Sequence, residues 1–343
     1  MNQLTERKHY LDNLRAFTTF LLFPFHIFVV YNNWGENWYI HGEALLFPSI
    51  WNQLSSLWMM PLLFAIAGIS TRYALKKRSA GDYVKERVSK LLIPLIFGML
   101  LIVPIQTYIA GLFFNGGANY FDCFTRVTDL SGYDGAFTLG HLWFLLFLFV
   151  MSIVCLPLMI LYDKKGKGTL GDKTPLVLVV FMGLLPCFGS ILKIGGKSPT
   201  EDMAYFLLGY FFLSNENLLK KLEKYRFLLL GLFVSYVGVI VFVFNKEYYE
   251  AACWLAILTI IGMGRHYLNF TGKVTGYMSK SSYGVYLFHQ SWIAVAAFLI
   301  FKVTDNYIVQ IPLIFLISVL CTYLTYEICR RTPGLRWMFG LKK

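Results

Sequence analysis

The chain has 343 residues, of which 57% are apolar, 18% aromatic and 15% charged, and its formal net charge is +12. An average soluble chain carries about 25% charged residues. The composition therefore argues against a soluble globular protein and excludes a disordered chain or a disulfide-rich secreted scaffold. The six scattered cysteines form no metal-spaced pair, so no metal site is predicted. A bundle of membrane-spanning helices is the interpretation that fits.

Apolar stretches recur along the whole chain and are typical of transmembrane helices. The fifth stretch is interrupted by Pro186 and Gly189, and the sixth is short. We predict an all-α polytopic membrane protein of about ten transmembrane helices, with residues 1–343 forming a single integral-membrane domain. The predicted spans are residues 15–33, 52–71, 91–114, 139–162, 176–192, 202–213, 227–244, 249–264, 281–301 and 307–329.

The basic residues fall very unequally on alternate sides of these spans. Twenty-six of the 31 Lys and Arg residues lie on the side that holds both termini, and five lie on the other side. Loops rich in Lys and Arg face the cytoplasm, so both termini are predicted to be cytoplasmic. This distribution accounts for the positive charge through topology and lipid contact, without a nucleic-acid partner. The polar N-terminus before a long apolar run predicts a retained first span rather than a cleaved signal.

The first span carries the sharpest functional signal. Arg15 and His26 are eleven residues apart, which puts them within about 20° of one helix face and about 16 Å apart along the axis. Pro24 lacks the amide that would bond the Phe20 carbonyl, so a kink is expected just before His26. Ionisable groups inside a membrane indicate a functional site. The alternative is that His26 only bonds a neighbouring helix and that Arg15 is a topology charge near lipid phosphates.

Further imidazoles and cations lie near span ends or within spans. His289 is about three turns into span nine, at a depth similar to that of His26, and His141 begins span four at its outer end. These imidazoles are expected either to share a polar cavity or to be satisfied structural groups. Arg87 and Lys90 lie three residues apart at the mouth of span three, where they can receive a phosphorylated ligand. The positive-inside rule and anionic lipid contact explain most of the surrounding charges.

The loop between spans one and two is rich in aromatic and polar residues. Trp34 and Trp38 offer stacking faces and Glu36 offers hydrogen bonds, so these residues are candidates for binding a sugar acceptor. An interfacial aromatic belt explains most residues of this loop equally well.

An ordered set of short motifs along nearly the whole chain resembles the acyltransferase family 3 membrane O-acyltransferases. The Phe-Pro-Phe-His sequence at 23–26 and the tail at 326–333 are most similar to the branch that succinylates periplasmic glucans. The motifs are LDNLR at 11–15 with His26, FAIAG at 64–68, residues 83–94, HLWFL at 141–145 and SYGVYLFH at 282–289.

The resemblance implies a ten-helix core in a bacterial cytoplasmic (inner) membrane. It implies cytosolic acyl-CoA as donor, either acetyl-CoA or succinyl-CoA, and a hydroxyl acceptor, usually on a cell-envelope sugar. It also implies that His26 is the catalytic residue, that Arg15 is its essential companion and that Arg87 helps to hold the donor. Many members have a second Arg where this chain has Lys90, which lacks the bidentate fork of Arg. We assign Arg72 to donor binding as well, and Asp12, His141, Trp143, Tyr286 and His289 to the supporting cavity.

The chemistry of acyl transfer agrees with these assignments. Transfer from a thioester to a hydroxyl needs a base for the hydroxyl proton and stabilisation of an oxyanion. His26 can serve as that base or as a transient acyl carrier. A rival function is a proton-coupled transporter of a small solute or glycan, with His26, His141 and His289 as a relay, although the internal repeat typical of transporters is absent from the sequence. A non-catalytic sensing or scaffolding domain is a second rival, and CoA binding distinguishes the enzyme from both.

Overall fold

The computed structural model describes residues 8–35, 38–164, 170–172, 174–187, 189, 191–194, 196–239 and 249–342. Within these residues the regular structure is helical, and the one β-type feature is an isolated bridge between Ile194 and Lys197. The predicted all-α class is therefore confirmed. Short 3₁₀ segments span Gly140–Leu142 and Leu170–Asp172, and π-helical segments span Val88–Leu92 and Gly209–Leu213. The α-helices are α1 His9–Val30, α2 Leu46–Ser56, α3 Met59–Leu75, α4 Ala80–Arg87, α5 Ile93–Leu101, α6 Val103–Asn115, α7 Asp122–Thr125, α8 Trp143–Val154, α9 Leu156–Lys164, α10 Leu176–Phe181, α11 Leu184–Cys187, α12 Pro199–Leu208, α13 Glu216–Lys224, α14 Arg226–Val239, α15 Tyr249–Tyr267, α16 Lys273–Ile300, α17 Tyr307–Arg331 and α18 Pro333–Met338.

Several of these helical segments can cross a membrane. Among the described residues, five are long and apolar enough, and the α8–α9 pair, bent by 44°, adds a sixth if it forms one span. The six agree with predicted spans one to four, nine and ten, so the chain is a multi-pass membrane protein. The other four spans and the cytoplasmic termini stay predictions. The five single segments are His9–Val30, Leu46–Leu75, Ala80–Asn115, Lys273–Ile300 and Tyr307–Arg331.

Helix α17 shows how the apolar surface is used. Only 22% of its most apolar window is buried. A stripe of large aliphatic side chains recurs along the rest, mostly at every fourth residue, which places it on one face of the helix. An exposed apolar stripe of this length suits contact with lipid rather than with water. The stripe consists of Ile308, Leu316, Leu320, Leu324 and Ile328.

The helices form two compact units, and the first comprises Met1–Thr18, Ser56–Tyr83 and Met151–Ser279. In this unit α3 and the helical segment that begins with α12 cross in direct backbone contact. A Cβ atom placed on Gly68 would lie 2.0 Å from the Phe206 carbonyl oxygen, and one on Gly209 would lie 2.2 Å from the Ala65 carbonyl oxygen. Glycine at both positions therefore permits the crossing.

The second unit comprises Thr19–Ser55, Val84–Val150 and Lys280–Lys343. Its core is apolar and aromatic, and it includes Phe23 and Ile27 of α1 together with Val285, Ile293 and Ile314. These side chains come from α1, α16 and α17. Because α1 and α16 also carry the two histidines predicted from the first and ninth spans, this core fixes the elements on which those histidines lie.

Candidate active site

Two features perturb the backbone hydrogen bonding of α1 near His26. Pro24 lies inside the helix and has no amide to donate. One turn later the buried side chain of Asn52 enters the helical ladder, with its amide oriented so that the nitrogen donates to the Phe25 carbonyl at 3.0 Å and the oxygen accepts from the Val29 amide at 2.9 Å. Phe25 and Val29 are the two groups that would bond each other in a regular helix. An inserted side chain of this kind bends a helix, so the turn at His26 is shaped by Asn52.

Three imidazoles lie together in the second unit. The ring centroids of His26 and His289 are 5.2 Å apart, and those of His141 and His289 are 5.3 Å apart. His289 is fully buried and His141 is 5% exposed, whereas His26 is partly exposed. The structure thus places His289 next to two other imidazoles, and His26 is the most exposed of the three.

Hydrogen bonds fix the tautomer of His141. Its Nε2 lies 2.9 Å from the Leu287 carbonyl oxygen, which can only accept, so Nε2 carries the proton. The other nitrogen, Nδ1, then accepts from the Gln106 side-chain amide at 3.3 Å. The Tyr286 hydroxyl donates to the His141 carbonyl. Both nitrogens of His141 are therefore engaged in structural bonds, which suits a supporting residue.

Trp38 forms one wall of the His26 environment. The indole and imidazole rings are stacked, with centroids 5.8 Å apart and an interplanar angle of 13°. Trp38 is 3% exposed, and its φ angle of 46° lies in the left-handed region that a bulky residue rarely adopts. Strain of this kind persists only where surrounding structure holds it, and it is common at functional sites.

Arg15 lies in the first unit, where it contacts two polar side chains. Its guanidinium is 3.3 Å from the Asp12 carboxylate, one helical turn earlier, and donates to the Ser70 hydroxyl at 3.1 Å. The Arg15 side chain is 39% exposed. Asp12, assigned to the supporting cavity from sequence, thus pairs directly with the cation proposed as the companion of His26.

Arg72 lies in a buried cage in the first unit. It is 5% exposed, and its Nη2 is 3.2 Å from the Asp163 carboxylate. Its guanidinium carbon lies 4.8 Å and 5.3 Å from the ring centroids of Tyr162 and Tyr210. Within the described part of the chain, its Nε and Nη1 donors are buried without a hydrogen-bond partner. A buried cation with unused donors suits the binding of an anion.

Arg87 and Lys90 have different polar partners. Arg87 ends α4 and lies 3.3 Å from the Glu86 carboxylate. Lys90 lies in the π-helical segment Val88–Leu92, which begins directly after Arg87. The Lys90 ammonium donates to the Gly340 carbonyl at 2.6 Å. Lys90 therefore ties the mouth of the span to the C-terminal segment.

The remaining sequence candidates lie at varied positions. Trp34 is 42% exposed, and Glu36 lies outside the described residues. Trp143 packs edge-on against Phe147, with ring centroids 5.2 Å apart. Tyr286 contacts the His141 ring at 5.6 Å between centroids.

Sequence reasoning missed several polar residues of these sites. Asn52 and Gln106 are neutral amides inside apolar stretches, and Asp163 directly follows the fourth predicted span. Buried amides in such stretches were an available signal, because a polar group in a membrane span needs a partner. Among the described residues, no group of three or more His, Cys, Asp or Glu side chains could hold a metal ion.

The chain is similar to known proteins along nearly its whole length. A family model described as "Acyltransferase domain" matches residues 8–327. The chain is 25% identical over 389 residues to "Glucans biosynthesis protein C" of Escherichia coli O1:K1 / APEC, covering 98% of this chain and 95% of that protein. The proteins of the same name from strain E24377A and strain K12 match with the same identity and coverage. No solved structure matches the chain.

Proposed function

The chain belongs to acyltransferase family 3, and we propose that it moves an acyl group from acyl-CoA to a hydroxyl of a cell-envelope glycan, with His26 as the base. The acyl group is acetyl or succinyl, and the protein acts in the bacterial cytoplasmic membrane. The name of the glucan biosynthesis relatives supports a glucan as acceptor. The observation that carries the proposal is the position of His26, on the turn of α1 that Asn52 bonds and against Trp38 and His289.

The proposed chemistry follows from this position. The acceptor oxygen attacks the thioester carbonyl carbon while a His26 ring nitrogen takes the hydroxyl proton. The tetrahedral intermediate then collapses, the carbon–sulfur bond breaks, and the proton passes to the departing thiolate. His26 returns to its neutral form after each transfer, so it needs no other proton source.

We propose donor binding for Arg72, and the family resemblance implies it separately for Arg87. The two unused N–H donors of Arg72 support an anionic ligand such as the phosphates of CoA.

Lys90 donates to a backbone carbonyl, and we therefore give it a structural part in this function. Trp34 is proposed to contact the acceptor, because its ring is exposed in the outer loop.

The test uses the purified chain in detergent, with acetyl-CoA or succinyl-CoA as donor and a glucan oligosaccharide as acceptor. Thiol release and the mass increase of the glucan report transfer. His26→Ala should reduce kcat about 10²- to 10⁴-fold, the range for a general base. His266→Gln is a matched control, because His266 contacts Glu223 rather than the imidazole cluster.

Donor binding is measured separately by thermal unfolding. A ligand that binds only the folded state stabilises it by about 2.7 kcal/mol at a hundredfold excess over its Kd. A saturable rise in Tm with one acyl-CoA identifies the acyl group. Full activity of His26→Ala would contradict its role as base. If the folded protein shows no acyl transfer and no Tm shift with either acyl-CoA, the result contradicts the proposed enzyme and favours a transporter.

A further inference from the structure

The two ring nitrogens of His289 have very different surroundings. Its Nδ1 lies 2.8 Å from the Tyr286 carbonyl oxygen and 3.2 Å from the Val285 carbonyl oxygen. Carbonyl oxygens only accept hydrogen bonds, so Nδ1 carries the proton. In the neutral ring, Nε2 is then unprotonated and is a hydrogen-bond acceptor.

The Nε2 atom of His289 is buried and has no hydrogen-bond partner among the described residues. Buried polar atoms are nearly always satisfied, so an unused acceptor in a fully buried residue calls for a physical reason. Of the two imidazoles beside it, His141 has no proton to offer, because its single N–H donates to the Leu287 carbonyl. His26 is the neighbouring ring that gains a proton during the proposed reaction, and its centroid is 5.2 Å away.

We propose that His289 is a positioning residue for His26, and that its Nε2 accepts a hydrogen bond from the protonated His26 ring. The inference rests on the proposed function. When the hydroxyl proton passes to His26, the new imidazolium has two N–H groups, and one of them bonds His289 Nε2. When the carbon–sulfur bond breaks, His26 gives the extra proton to the thiolate and becomes neutral again. His289 itself neither gains nor loses a proton.

The local structure prepares His289 for this part. The bonds of Nδ1–H to two carbonyls of its own helix hold the ring in one orientation. Phe23 packs edge-on against the same ring, with centroids 5.8 Å apart. The acceptor is thus fixed and buried before the reaction begins, and a preorganised acceptor needs no rearrangement when charge develops.

Two amide variants separate the function of Nε2 from the packing of the ring. In His289→Asn, the short amide reaches the position of Nδ1 and can bond the Tyr286 carbonyl, but it leaves no acceptor at the position of Nε2. In His289→Gln, the longer amide places its oxygen near that position. Loss of a hydrogen bond to a charged group is expected to lower kcat of the Asn variant about 10- to 100-fold, with the donor KM unchanged. The Gln variant should lose less: its decrease in log kcat should be at most about two thirds of the decrease seen in the Asn variant.

Thr322→Val is the matched control for removal of a buried polar atom in the same unit. The Thr322 hydroxyl is also buried without a hydrogen-bond partner among the described residues, and valine keeps its shape. Its kcat and Tm should equal those of the wild type. The double variant His26→Ala/His289→Asn should be no slower than His26→Ala, because a residue that acts through His26 has nothing to add without it.

The outcomes distinguish this inference from the proposed function. If the wild type transfers acyl groups and needs His26, but His289→Asn has the wild-type kcat, the inference is wrong and the proposed function stands. Equal losses in the Asn and Gln variants, or unfolding of both while His26→Ala folds, assign His289 to packing and also overturn the inference. Wild-type activity in His26→Ala overturns the proposed function itself.

Discussion

The indole ring of Trp38 lies parallel to the imidazole of His26, with centroids 5.8 Å apart and an interplanar angle of 13°. A parallel aromatic face stabilises a cation above it, so this contact is stronger when His26 is protonated than when it is neutral. Trp38→Leu should therefore lower kcat about 3- to 30-fold, the kinetic equivalent of a cation–π contact. Trp38→Phe keeps an aromatic face and should lose less. Trp337→Leu, which removes an exposed indole in α18, is the control and should leave kcat unchanged. Equal activity of the Leu and Phe variants would show that the aromatic face is not used.

Asn52 determines the shape of the helix that carries His26. In Asn52→Leu, the Val29 amide and the Phe25 carbonyl lose their side-chain partner and are free to bond each other as in a regular helix. Loss of the Asn52 bonds should shift the turn that carries His26, so kcat should fall at least about tenfold, since small misplacements of a reacting group are costly. Tm should change little, because both backbone groups stay satisfied. The measurements are kcat and Tm beside those of Gln53→Leu, a change on the exposed side of α2. A large fall in Tm with little change in kcat would show that Asn52 serves stability alone.

The crossing of α3 over the Phe206–Gly209 segment predicts a loss of stability on adding a single methyl group. A Cβ at Gly68 would lie 2.0 Å from the Phe206 carbonyl oxygen, so Gly68→Ala forces two backbones apart. Overpacking of this kind costs about 1–3 kcal/mol of unfolding free energy. Gly231→Ala is the matched control in the same unit, because a Cβ there meets no atom within 4 Å. Thermal unfolding in detergent should give a lower Tm for Gly68→Ala and an unchanged or higher Tm for Gly231→Ala. The same Tm for both variants would contradict the close crossing.

Glu216 in α13 predicts an acid sensitivity of the first unit. Burial raises the pKa of Glu216, but hydrogen bonds from Arg265 and Lys8 outweigh burial, so the pKa lies below its ordinary value of 4.5. The resulting stabilisation is complete above the pKa of the unfolded chain and is lost as the pH falls through the lower folded-state pKa. The Tm of the wild type should therefore fall more steeply below about pH 5 than that of Glu216→Gln, which has no carboxylate to protonate. Parallel Tm curves for the two proteins would exclude this contribution.

The sequence predicted the parts of the fold that depend on long apolar runs. The first span, the last two spans and the all-α class follow from hydropathy, and His26 from its spacing to Arg15 and the family motifs. The fifth predicted stretch is interrupted earlier than Pro186 and Gly189, because α10 ends at Phe181 and α11 begins at Leu184. A Cβ on Gly183 would lie 2.7 Å from the Trp254 side chain, a residue far away in sequence.

The polar partners of the candidate site escaped prediction for a related reason. Asn52 and Gln106 belong to no recognisable sequence motif. Only the folded structure shows that Asn52 bonds the turn of His26 and that Gln106 bonds His141. The π-helical segment at Val88–Leu92 was also not predicted, and its Lys90 donates to the Gly340 carbonyl of the distant C-terminal segment. Spacing rules assume a regular helix and do not anticipate a π-helical segment.

Arg72 gives a prediction about the donor alone. Its Nε and Nη1 are the donors without a hydrogen-bond partner in the described part of the chain, whereas Nη2 pairs with Asp163. Arg72→Lys keeps the positive charge beside Asp163 but removes the planar fork, so the fold should survive while anion binding weakens. We expect the Kd for acyl-CoA to rise about tenfold or more, the value of a charged hydrogen bond.

The measurement is a thermal-shift titration with acetyl-CoA, succinyl-CoA and free CoA. Arg331→Lys is the control, because Arg331 is 72% exposed and pairs only with Glu327 among the contacts that the structure shows for it. A parallel rise of Kd for all three ligands would place Arg72 against the part that they share, the CoA moiety. A rise confined to succinyl-CoA would instead place the guanidinium against the succinyl carboxylate. Wild-type Kd values in folded Arg72→Lys would remove Arg72 from donor binding and leave its cage as a structural ion pair.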